Sequence, residues 1–223
     1  MVLILFRDAA EMADMNFIVD QGAMARVRPE LRAHLRLVIS SPRVLQTTGP
    51  GNEIPFYICP FAPEDQVRMA EECEVLMEEL ERNGVPVLEI NLYDLMIELL
   101  SELLDWETLG AFEMEESKDV LLEELQSTLN IKEVLIPRLR DRLSERNFRV
   151  LFLTGIGEAY PVIRSHLILN NLQSELKDAP TVIFFPGRYA QASASGSSLQ
   201  MLCKLDEDHY YRAHNLLHMR EAA

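Results

Sequence analysis

The chain has 223 residues, 48% of them apolar, and a formal net charge of −15. That length supports one ample core. The charge argues against direct, non-specific nucleic-acid binding, whose affinity comes mainly from Lys and Arg, and favours a soluble protein with a basic or neutral partner. Residues 1–23 are rich in Met and Ala and read as irregular or weakly helical. Val2 to Phe6 is too short for a signal segment and runs into Arg7 and Asp8. Pro29 to Val38 reads as a helix with Leu31, Leu35 and Val38 on one face, ended by Ser40-Ser41-Pro42. Gly49-Pro50-Gly51 marks a loop, and Ile54 to Cys59 is an aromatic and β-branched strand. Ala62-Pro63-Glu64-Asp65 opens a helix. Its stripe of Met69, Ala70, Cys73, Leu76, Met77 and Leu80 runs to a stop at Asn83-Gly84. Val85 to Ile90 is the next strand, which predicts a strand–helix–strand unit with a right-handed parallel crossover.

Leu92 to Trp106 reads as one helix with Leu95, Met96, Leu99, Leu100 and Leu103 inward. Val120 to Leu129 and Ile131 to Leu143 are two more, with Pro137 as a kink candidate. Val150 to Leu153 is a continuous apolar run, as in a strand covered on both faces. Thr154-Gly155-Ile156-Gly157-Glu158 breaks that run with two glycines that permit positive φ. Pro161 then suits the first turn of a helix carrying Val162, Ile163, Leu167, Leu169 and Leu172. Thr181 to Phe185 is a strand ended by Pro186-Gly187, and Gln191 to Ser198 reads as a mobile small-residue loop. Leu199 to Leu205 and Tyr210 to Leu217 read as a terminal strand pair, the second alternatively as a short helix. The alternation predicts an α/β fold, a mostly parallel sheet flanked by helices. Its rhythm is that of a degenerate P-loop-like nucleotide-binding fold without the phosphate loop. No apolar run reaches membrane-spanning length, and no internal repeat is visible.

Charge is uneven. Glu64 to Glu124 holds twenty Asp or Glu against Arg68, Arg82 and Lys118, and the rest of the chain is near neutral. One reading is a solvated acidic helical layer; the sharper one is a docking face for a basic partner. Arg26, Arg28, Arg32, Arg36 and Arg43 form a basic arm upstream, without the interleaved aromatics of a nucleic-acid binder. Cys59, Cys73 and Cys203 have no metal-site spacing. Cys59 and Cys73 read as buried small hydrophobes, in keeping with a reducing, cytoplasmic compartment.

The turn after the third predicted strand is the first candidate site, because open α/β sheets dock ligands at the carboxyl ends of their strands. Its chemistry is incomplete. Gly155-x-Gly157 lacks the third small residue of a dinucleotide fingerprint, since Tyr160 stands there, and no G-x-x-x-x-G-K-[ST] pattern occurs. Glu158 and His166 are a conceivable acid/base pair beside Tyr160 and Arg164, but Ser165 has no nucleophile elbow. The plainer reading has Glu158 capping the helix, while Arg164 and His166 make buried polar contacts. Arg188 and Tyr189 follow Pro186-Gly187 at the same sheet edge, where they either complete a pocket or turn into the serine-rich loop. Tyr210, Tyr211 and Arg212 have interface composition. His209, His214 and His218 form no recognised ligand set, so neither a metal nor a cofactor is expected.

Five blocks resemble one known family. They are GNEIPFYI at Gly51–Ile58, VLEINLYDL at Val87–Leu95, FLTGIGEAYPVIRSHLILNNLQ at Phe152–Gln173, VIFFPGRY at Val182–Tyr189 and YYRAHNL at Tyr210–Leu216. Together and in this order they resemble BrxB, the small B component of BREX bacteriophage-exclusion systems. The resemblance runs from about Arg26 onward, which divides the chain into an extension, 1–25, and one α/β domain, 26–223. It implies cytoplasmic antiphage defence inside an assembly with a large ATPase, a DNA methyltransferase and the phosphatase-like PglZ. Within it, this chain would be a non-enzymatic interaction subunit contacting PglZ, or the ATPase. The family supplies no catalytic residues to carry over. Residues 1–23 precede the usual family start, and the Ala190–Ser198 loop is longer than the family leads one to expect. The rival expectation is a small-ligand-binding or hydrolytic enzyme that uses the Gly155–Arg164 turn.

Overall fold

The structure is a computed structural model that describes residues 19–20, 24–46, 56–144, 147–164, 168, 171, 179–192, 196–203, 205–207 and 213–219. In chain order it begins with two short strands, β1 (Val19–Asp20) and β2 (Met24–Ala25). Helices α1 (Pro29–Ile39) and α2 (Pro42–Leu45) and strand β3 (Phe56–Phe61) follow. A 3-10 turn at Pro63–Asp65 leads into α3 (Gln66–Arg82) and β4 (Val87–Asn91). Next come α4 (Leu92–Leu103), α5 (Trp106–Glu115) and α6 (Lys118–Thr128). A π-turn at Ile131–Leu135 precedes α7 (Ile136–Ser144), and then β5 (Val150–Thr154) and the single turn α8 (Ile156–Ala159). Strands β6 (Thr181–Ala192), β7 (Gly196–Met201), β8 (Leu205–Glu207) and β9 (His214–Asn215) and a 3-10 turn at Leu216–His218 complete it.

The centre is a parallel sheet in the order β2-β3-β6-β5-β4. The fold is α/β, with a mostly parallel sheet flanked by helices. β3 and β5 are buried along their whole length, whereas β4, at the edge, alternates. Alternation along each strand builds two cores. Ile58, Leu151, Leu153, Ile183 and Phe185 face Leu95, Leu99, Leu135 and Leu139 of the helices on one side. Tyr57, Cys59, Phe152, Val182 and Phe184 face Leu31, Leu35, Cys73, Leu76 and Leu80 on the other. Phe152 meets Phe184 edge to face at 5.0 Å between centroids, and such a buried ring contributes roughly 3–5 kcal/mol against its removal.

Several boundaries differ from the sequence reading, each for a local reason. Residues 19–20 and 24–25 are strand, because Ala25 pairs with Phe61 at the sheet edge. β3 and β4 are parallel but not neighbours, since β6 and β5 lie between them. The helix expected over Leu92–Trp106 stops at Leu103. Asp105 starts a new one by accepting from the Thr108 amide (2.9 Å) and hydroxyl (2.8 Å), a side-chain cap that outcompetes helix continuation. Helix α5 was therefore absent from the reading. Pro137 cannot donate to the carbonyl one turn back, and the π-turn just before it takes up the mismatch.

Pro186-Gly187 does not end β6. At Phe61↔Pro186 the strand leaves its parallel partner, and from Gly187↔Met201 onward it runs antiparallel to β7. Gly187, at φ 155, supplies the bend, because a Cβ there would strike the Gln200 carbonyl. Gln191, Ala192 and Gly196–Ser198 lie in this ladder and are not loop; Ser193, Ala194 and Ser195 lie outside the described residues. The terminal strand pair is β7 with β8, turning at Leu202-Cys203. The stretch from His214 adds to β3 and then makes a 3-10 turn. Among the described residues no helix is long and apolar enough to cross a membrane.

Candidate functional site

The carboxyl ends of β3, β6 and β5 frame the place where such sheets take ligands. After β3 the chain enters α3 on one face of the sheet; after β4 and β5 it enters α4 and α8 on the other. The switch point therefore lies over β6. Here the chain fills its own crevice. β6 continues upward as the β6–β7 hairpin. The Pro186 ring lies so close to Gly157 that an added Cβ would come within 2.6 Å of it. Gln66 Nε2, at the start of α3, donates to Glu158 Oε1 at 2.6 Å.

Gly155 has φ 69, as a turn glycine should. Its reason is a neighbour: a Cβ there would run into the Asn91 side chain. Asn91 Oδ1 caps α4 by accepting from Tyr93 N (3.0 Å) and Asp94 N (3.3 Å). The two β-to-α turns thus lock together through a missing side chain. Gly157 has no positive φ, contrary to expectation, and serves close packing against Pro186 inside α8.

The other candidates spread out. Glu158 is exposed and binds Gln66 in place of capping a helix, because α3 begins directly opposite. Tyr160 is half-buried against the core, and Arg164 is exposed, so it makes no buried polar contact. Pro161 lies in a turn, and its carbonyl accepts from Gln126 Nε2 at 2.9 Å. Arg188 is exposed on β6, whereas Tyr189 is buried and donates its hydroxyl to the Ala213 carbonyl at 2.8 Å. His166, Tyr210, Tyr211 and Arg212 lie outside the described residues, as do Leu167, Leu169, Leu172 and His209.

Where a phosphate loop would follow β3, the structure has a carboxylate. Asp65 is buried and accepts from Arg26 Nε (2.8 Å), Arg26 Nη2 (3.0 Å) and the Val27 amide (3.0 Å). Arg26 Nη1 also reaches Glu64 at 3.1 Å. This clasp was missed in the sequence, although a basic arm and an acidic loop were both visible. The same arm continues along α1. Arg32 pairs with Glu72 and, at 3.3 Å, with Glu79, which also takes Arg36 at 3.3 Å. Those arginines are occupied by α3 and do not form a free basic stripe.

Cys59 and Cys73 are buried, and desolvation pushes the Cys59 thiol up to about 12. Cys73 is raised as well, by burial first and then by Cys59 and nearby glutamates. His214 is exposed, with its ring tilted over Tyr57 at 5.7 Å. Among the described residues no three His, Cys, Asp or Glu side chains gather as metal ligands. A small apolar cavity of about 10 Å³, room for roughly one water, lies between α1 and α3 near Leu31, Met69 and Phe184.

Comparison with known proteins agrees with the blocks quoted above. The family model described as BREX protein BrxB matches residues 88–216. A BREX protein BrxB of Bacillus cereus (strain H3081.97) is 31% identical over 176 residues, 77% of this chain and 88% of that protein. A BREX protein BrxB of Escherichia coli O9:H4 (strain HS) is 29% identical over 181 residues, 80% of this chain and 86% of that one. No solved structure gives a significant match. The chain belongs to the BrxB family of BREX antiphage-defence proteins.

Proposed function

We propose that this chain is a non-enzymatic interaction subunit of a BREX assembly and docks onto the PglZ phosphatase-like component, with the large ATPase as a further neighbour. The observation that carries this reading is the self-filled crevice over β6. Pro186 occupies the space beside Gly157, and Gln66 spans to Glu158. Buried Asp65 holds the position where an anion-binding loop would need backbone donors. A carboxylate there repels phosphate and is already satisfied by Arg26. On this reading the scaffold is a nucleotide-binding-like sheet that has lost its phosphate loop and kept its framework.

The test is co-purification. A tagged chain expressed with the remaining components of its own system is expected to bring down PglZ at mild salt. Recovery of neither PglZ nor the ATPase would contradict the proposal. Glu158→Gln is expected to leave defence intact. Loss of defence in a variant that is still folded would favour the rival, a small ligand at the Gly155–Arg164 turn.

A further inference from the structure

Helices α5 and α6 bury no residue fully. They are 10 and 11 residues long, and helices this short are marginal in water unless something packs on them. Their inner contacts are modest: Leu109, Phe112, Leu121 and Leu122 are only half-buried. The outer side of α5 is apolar where it should be polar. Trp106 is 48% exposed and Met114 89%, and Leu103, the last residue of α4, is 50% exposed.

Trp106, Gly110 and Met114 follow one another at i, i+4 and i+8, which places them in one stripe. Gly110 is the odd member. It stands in mid-helix, where glycine weakens the helix relative to alanine. Neither a positive φ nor a close neighbour explains it: a Cβ there would meet nothing within 4 Å. The stripe is thus a notch between two large side chains, open to whatever approaches from outside.

Charge says what approaches. Asp105 to Glu124 holds eight acids against Lys118. Among the described residues no ion pair reaches any of those eight. Glu113, Glu115 and Glu116 crowd the carboxyl end of α5, which has no basic residue in its last turn. Acids there oppose the helix dipole. A cation brought by another molecule relieves both effects.

We propose that the Trp106–Gly110–Met114 stripe, with the acids at the end of α5, is the docking surface for a lysine- or arginine-rimmed apolar patch on another protein of the defence assembly. The proposal rests on the reading of the chain as an interaction subunit, and it names the face. The apolar stripe enters the partner's patch, Gly110 lets the partner approach the helix backbone, and the acids set orientation and speed of encounter.

The experiment measures binding of the purified chain to purified PglZ and to the purified ATPase of its own system, at low and at high salt. Three variants are compared with the parent: Trp106→Ala with Met114→Ala, Gly110→Arg, and Glu113→Lys with Glu116→Lys. All five positions are exposed, and thermal midpoints check that folding is kept. The expected result is one component bound by the parent and weakened roughly tenfold or more by each variant, with salt weakening the parent more than the charge-reversed chain. If the parent binds and all three variants bind equally well, the face is wrong while the interaction reading stands. If the parent binds neither component, both fall. If the parent self-associates and the Trp106→Ala, Met114→Ala chain does not, the occupant is a second copy and the proposal is overturned.

Discussion

Along α3, Glu72 and Glu79 face Arg32 and Arg36 of α1, and buried Asp65 holds Arg26. Along α5 and α6, acids of similar density face solvent, and Trp106, Met114 and Val120 among them are exposed. In composition the two stretches look alike, since both belong to the acidic block between Glu64 and Glu124. The difference lies in what the fold brings opposite. The α1–α3 seam is closed within the chain and belongs to stability. The α5–α6 hairpin is left open, with an exposed tryptophan, an exposed methionine and a mid-helix glycine. A count of charges cannot separate the two roles, whereas the partner of each carboxylate can.

The largest expected effect lies in the seam. Asp65→Ala leaves the Val27 amide and the Arg26 guanidinium without their acceptor. Loss of one partner of a buried charged pair costs about 3–5 kcal/mol; because Arg26 is partly exposed, solvent screening lowers the cost expected here to about 2–3 kcal/mol. Urea unfolding measures it, and a cost below about 1 kcal/mol would break the contrast with the hairpin. Glu79→Gln, which loosens Arg32 and Arg36 together, is expected to cost about 1 kcal/mol and to cost less at high salt. In the hairpin the sign reverses. Gly110→Ala is expected to raise stability by about 0.5–1 kcal/mol while impairing assembly, a combination that a purely structural helix would not produce.

The smallest effect sharpens the boundary between the two regions. Glu102, on the last turn of α4, accepts from Arg138 of α7, and that bond holds its carboxyl below the ordinary value of 4.5. A group depressed in the folded state contributes stability above its unfolded pKa and loses it as pH falls through the lower, folded value. Acid unfolding of Glu102→Gln should therefore converge with the parent at low pH and fall slightly short of it near neutrality. The group is exposed, so the gap is small. A larger gap at low pH than at neutral pH would contradict the pairing.

Much of the framework was readable because its signals are local. The buried run Val150–Leu153, the stripe from Met69 to Leu80 and the stop at Asn83-Gly84 each announce themselves within a few residues. Gly84 shows the positive φ expected of that stop, and Val85 N bonds back to the Leu80 carbonyl at 2.9 Å. What escaped was set at a distance. Pro186-Gly187 has the composition of a strand end, yet pairing of Gly187 with Met201 turns it into a bend between two ladders. Asp105 lies within the single helix read over Leu92–Trp106, although Asp is a favoured N-cap residue. At the candidate site the glycines were visible and their reasons were not. Gly155 answers to Asn91, some sixty residues upstream, and Gly157 to Pro186. Tyr189 follows Pro186-Gly187 in a pattern that suits either a pocket or a turn into the serine-rich loop, and its burial with the hydroxyl on the Ala213 carbonyl depends on a residue 24 positions away.

The most direct test of the account is hydrogen exchange on the free chain and on the assembly purified with its own PglZ and ATPase. The account predicts slowed amide exchange over residues 103–124 in the assembly, with little change at 155–164. Protection concentrated at 155–164, with 103–124 exchanging as in the free chain, would contradict it.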